Sequence, residues 1–99
     1  MIATKPVNIG SLITHRAHIR GGKPIVAGTG VTVERIVRWY QLGLSPEEIV
    51  DQFGHLSLAQ VHAALAYYHA NRSEIDASIT TEDVVAEEIE QHFAGRVFA

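Results

Sequence analysis

Two helix starts, twelve residues apart, constrain this chain more than any other feature. Ser45-Pro46-Glu47-Glu48 puts a capping hydroxyl before a first-turn proline, with a glutamate three residues on. The Ser45 oxygen can then accept from the Glu48 amide while the Glu48 carboxylate reaches back to the Ser45 amide, and Pro46 sits where an N–H would be unpaired anyway. Ser57-Leu58-Ala59-Gln60 repeats the device with Gln60 as the back-bonding side chain. Between the two, Gly54 can take the positive φ that ends a helix and turns the chain. The spacing therefore predicts one short helix from Pro46 to Phe53 and a second starting at Leu58.

A third helix precedes them. Val33, Ile36, Val37 and Tyr40 fall at i, i+3, i+4 and i+7, with Thr32 as the cap and Gly43 as the stop. Leu58, Val61, Leu65 and Tyr68 form the matching stripe downstream. Helix, short helix, glycine turn and longer helix make the outline of a helix-turn-helix domain. Ahead of it, residues 18–31 carry β-branched side chains around Gly21-Gly22 and Gly28-Thr29-Gly30, which predicts a small β ribbon with its turn at the glycine pair. Two strands alone are marginal in water, so the ribbon packs on the helices or on a second copy of the chain, and a homodimer is expected. Trp39 lies off the stripe of its helix and is expected against the ribbon, with an interface anchor as the alternative. After Asn71 the periodicity lapses until Thr80-Thr81-Glu82-Asp83, a further capping box that would open an amphipathic helix from Glu82 to Phe93. The fold class read here is all-α, with residues 1–13 as a loosely held arm, 14–73 as the helix-turn-helix domain with its ribbon, and 74–99 as an acidic C-terminal helix.

Ninety-nine residues, 46% of them apolar, allow one modest core but not a deep enzyme cleft besides. The absence of cysteine fits a reducing cytoplasm, and no apolar run approaches the roughly 18 residues of a membrane span. A cytoplasmic protein is expected. The net charge of −3 hides an asymmetry: residues 1–71 carry six basic and four acidic side chains, residues 72–99 two basic and seven acidic. A mildly basic body with an acidic tail points to two different partners.

The basic side chains Arg20, Lys23, Arg35 and Arg38 are the candidates for phosphate contact. Base contact would fall to the third helix, with Ser57 at its start and Gln60 and His62 on its outer side, since glutamine can pair with adenine. That helix has no Lys or Arg before Arg72, so a packing or dimerisation role is the competing assignment. No P-loop or dinucleotide fingerprint is complete around Gly28-Thr29-Gly30. His15 with His18, and His62 with His69, lack a carboxylate partner at ligand spacing. No nucleophile with base and orienter can be assembled, so neither a cofactor, a metal nor an enzyme activity is expected.

Gly21-Gly22-Lys23-Pro24-Ile25-Val26-Ala27-Gly28-Thr29, then Gly43-Leu44-Ser45-Pro46-Glu47-Glu48-Ile49, then His55 through Tyr67 together resemble the domain-of-unknown-function-433 family over roughly residues 9–71. The resemblance implies a homeodomain-like helix-turn-helix fold and a VapB-type antitoxin whose partner is a small PIN-like ribonuclease toxin. It further implies that the helix from Leu58 to Tyr68 reads DNA and that the C-terminal extension masks the toxin. On that basis Val85, Ile89 and Phe93 are expected to dock on the toxin, with Glu82 and Glu88 meeting its basic rim, the competing assignment being that this stripe folds back on its own domain or pairs with its copy in the dimer. The chain departs from the family pattern at Gly30, where members usually carry arginine. A homodimeric protein-interaction module without DNA binding is the alternative function.

Overall fold

Both serine caps close as the spacing predicts. The computed structural model describes residues 6–98, with side chains as far as Glu90. In chain order the elements are β1 (Ile13–Thr14), β2 (Ile25–Val26), α1 (Val33–Gln41), α2 (Pro46–Phe53), α3 (Leu58–Ala70) and α4 (Arg72–Phe98), with short 3-10 turns at Ile9–Leu12 and Arg20–Gly22. At α2, Glu48 N donates to Ser45 Oγ at 3.2 Å and Ser45 N donates to Glu48 Oε1 at 2.9 Å. At α3 the corresponding bonds are Gln60 N to Ser57 Oγ at 3.1 Å and Ser57 N to Gln60 Oε1 at 2.7 Å. Gly54 ends α2 at φ 73, a left-handed conformation that a Cβ would strain. The fourth residue of each helix, Ile49 or Val61, belongs to the core, and of the residues before the caps Leu56 belongs to it and half-buried Leu44 packs against it, as in a hydrophobic staple.

The core gathers Val33, Ile36 and Val37 from α1, Ile49 from α2, Val61, Ala64, Leu65 and Tyr68 from α3, and Val26 from β2. Trp39 packs against it, half-buried. Tyr40 and Leu58, expected on apolar stripes, are instead exposed at the margins, where Tyr40 stacks edge-on against His69.

The ribbon differs from expectation. β2 pairs antiparallel with β1 in the register Ile13 to Val26 and Thr14 to Ile25, not with residues just before the glycine turn. Residues 15–18 are all exposed, whereas Leu12 and Ile13 are apolar and half-buried, so the earlier pair is the one that can cover the core. Gly21 and Gly22 do turn the chain, at φ 65 and 82. Ile13 and the turn Ile9–Leu12 pack on α3, so this part of the segment expected as an arm belongs to the domain.

The break expected between residues 72 and 79 is also absent. α4 is continuous from Arg72, because Ile75 and Ile79, one turn apart, fill the core at 1% and 8% exposure. The hydroxyl of Thr81 donates to Ala77 O at 2.8 Å within the helix and caps nothing. The interruption falls at Asn71, whose amide donates to Tyr67 O and Tyr68 O and whose side chain donates to Tyr67 O, all at 3.0 Å. Among the described residues, the architecture is four helices and one two-stranded antiparallel sheet, and no helix is long and apolar enough to cross a membrane.

Candidate functional site

Arg20, Lys23, Arg35 and Arg38 come together. They line an open depression of about 530 Å³ with Gly30, Thr32, Glu34 and Glu82. Arg20 is placed by the 3-10 turn with its backbone at φ 50, a left-handed conformation uncommon outside glycine, and its Nε donates to Gly30 O at 3.0 Å. Arg35 lies over the Phe53 ring, 5.5 Å from its centroid, which fixes the guanidinium by a cation–π contact.

Lys23 and Arg38 are held by carboxylates. Glu34, 4% exposed, sits beneath them: its Oε2 accepts from Lys23 Nζ at 3.0 Å and from Ser78 Oγ at 3.0 Å. Its Oε1 has no hydrogen-bond partner among the described residues and lies 3.8 Å from Arg38 Nη2. From α4, Glu82 pairs through Oε1 with Lys23 and through Oε2 with Arg38 at 3.5 Å, and Asp83 pairs with Arg38 at 3.0 Å. Sequence reading did not single out Glu34 or the Asp83–Arg38 pair. Glu34 follows Val33 at the edge of a helix stripe, where a carboxylate looks like first-turn dipole compensation, and only the path of α4 makes it a buried hub.

The α3 candidates lie elsewhere. Ser57 and Gln60 line a separate depression with Val7, Ile9, Leu12 and Leu56, and the Gln60 carbonyl oxygen is occupied by its cap. His62 is exposed on α3 and lines neither depression. The ribbon, α3 and α4 also meet at His15, which faces Gly22 O through Nδ1 at 3.1 Å and the Tyr67 hydroxyl through Nε2 at 3.2 Å. Burial, with Glu74 nearby, pushes the Tyr67 phenol above its ordinary value.

Beyond Ile79, every α4 residue whose side chain is described is exposed. Val85 and Ile89, four residues apart, are 48% and 51% exposed, and Glu88 stands beside them. Glu82 is turned toward its own body, and the Phe93 side chain lies outside the described residues.

Residues 13–68 match the family described as "Protein of unknown function (DUF433)". The chain belongs to the DUF433 family. A crystal structure of a DUF433 member protein from Anabaena variabilis ATCC 29413 is similar at TM-score 0.66 and 26% identity, over 71% of this chain and 69% of that one. No curated protein matches. The four cations of the depression lie inside the DUF433 match, whereas Glu82 and Asp83 lie after it.

Proposed function

We propose that this DUF433 protein is an antitoxin-like regulator, a homodimer with a homeodomain-like helix-turn-helix. It would grip a PIN-like ribonuclease through α4 and the phosphates of its own promoter through the basic depression. The observation that carries this is α4: rooted in the core by Ile75 and Ile79, it runs on with Val85 and Ile89 half exposed beside Glu87, Glu88 and Glu90. An apolar stripe with acidic flanks suits a partner whose surface is apolar and basic, as the rim of an RNA-cleaving site must be. Since Val85 and Ile89 are already half covered, burying the remainder contributes only about 2–3 kcal/mol. Micromolar affinity corresponds to roughly 8 kcal/mol, so charge pairing has to supply much of the binding and salt should weaken it.

Ser57 and Gln60 favour a second assignment, an interaction module that does not bind DNA. They stand beside apolar Val7 and Ile9, apart from the cations. Titration of the upstream DNA at about 50 and 200 mM salt separates the two, because phosphate contacts make affinity fall steeply with salt. Absence of any shift at micromolar protein in the lower salt would favour the second. Co-expression with the neighbouring open reading frame tests the partner: Val85→Asp with Ile89→Asp should abolish co-purification and leave DNA binding intact. A monomer in sedimentation equilibrium at tens of micromolar would remove the dimer.

A further inference from the structure

We propose that the basic depression is a phosphate site that α4 closes from within, Glu82 and Asp83 standing where the phosphate oxygens of a DNA backbone would stand. This rests on the DNA contact assigned above and adds its regulation. Glu82 bridges two cations with its two oxygens, one on Lys23 and one on Arg38, as a phosphate would, and Asp83 takes the other end of the Arg38 guanidinium. The depression and its paired Asp83 bring together four cations and three carboxylates, one net positive charge. Without Glu82 and Asp83 the same surface carries three.

Exposure decides which carboxylates can leave. The Glu82 and Asp83 side chains are 47% and 59% exposed, and such pairs are weak, screened by salt and readily exchanged. Glu34 at 5% is buried under the same cations and stays. A DNA backbone therefore competes with α4 for Lys23 and Arg38, while Arg20 and Arg35, which form no ion pair among the described residues, offer the first contacts.

The test uses the full chain, a mixed-sequence DNA duplex and inorganic tripolyphosphate. Glu82→Gln with Asp83→Asn should tighten duplex binding about tenfold at low salt and steepen the salt dependence by roughly 2 in log–log slope, from two more phosphate contacts. Glu87→Gln with Glu88→Gln makes the same change of net charge away from the depression and should gain no more than about twofold. Adding Lys23→Gln and Arg38→Gln to the first pair should return affinity to the wild-type level or below. Where the wild type binds duplex, equal gains from both acidic pairs, or none from either, overturn the inference. Tripolyphosphate reads the contact without DNA, since its binding should shift the backbone amide resonances of residues 80–84 in the wild type. If those shifts appear but no protein binds duplex, the competition stands and the DNA assignment falls. If duplex binds the wild type and both acidic double variants alike and tripolyphosphate moves nothing at 80–84, while Lys23→Gln with Arg38→Gln still weakens duplex binding, the DNA assignment stands and the competition falls.

Discussion

Glu34 joins three parts of the molecule: it sits on α1 and is bonded by Lys23 from the loop before β2 and by Ser78 from α4. Removing its charge leaves a buried amide among partners that expect a carboxylate. Because Lys23 and Arg38 are about one-third exposed and partly solvated, we expect Glu34→Gln to lower stability by only about 1–2 kcal/mol in urea titration, well short of a fully buried pair. At Ser45 the expectation concerns pH. Its backbone amide and then its hydroxyl hold the Glu48 carboxyl below the usual range, so the folded state binds that proton less readily than the unfolded one. The stability this contributes is present above the unfolded value and is lost as pH falls through the folded one. Glu48→Ala should therefore flatten the acid limb of the thermal-melting profile, and Ser45→Ala should cost about 1 kcal/mol at neutral pH. Gly30 lines the basic depression, and a Cβ there would meet Arg20 Nη2 no closer than 3.7 Å. Gly30→Arg should fold normally and strengthen duplex binding several-fold by adding a fifth cation.

At the scale of elements, α4 divides into a root and a projecting face, and substitutions should separate them. Ile75→Ala removes methyls from a site 1% exposed and should cost about 2–4 kcal/mol, while Ile89→Ala should change stability by less than about 0.5 kcal/mol. Deleting residues 74–99 should unfold the domain through loss of Ile75 and Ile79, whereas deleting 84–99 should leave it folded and unable to hold the proposed partner. What could be read from sequence follows the range of the forces involved. The caps at Ser45 and Ser57 and the turn at Gly54 are local chemistry within four residues, and the bounds of α2 follow from them alone. The pairing of Ile13 with Val26 and the seating of Ile79 depend on which distant surface needs covering, and nothing local to Thr80–Asp83 shows that the chain is already helical there. The cations were legible as charges, but their convergence, and the acids beneath and beside them, came only with the path of α4.

Over the whole molecule, the cations and the exposed face of α3 occupy different surfaces, so affinity and sequence discrimination should respond to different substitutions. Arg20→Gln with Arg35→Gln should weaken binding to all duplexes alike and reduce the salt slope by roughly 2, whereas Gln60→Ala with His62→Ala should blur the preference for the upstream site at nearly constant slope. Because Ile75 and Ile79 clamp the root of α4 in the core, the rest of the helix is a lever whose fulcrum is Ile79. At about 1.5 Å per residue, Asp83 lies roughly 6 Å beyond that fulcrum and Phe98 roughly 28 Å. A bend of about 10° there would carry Asp83 about 1 Å while the far end swept about 5 Å. A load applied near the tip thus has a mechanical advantage of more than fourfold over the ion pairs close to the fulcrum.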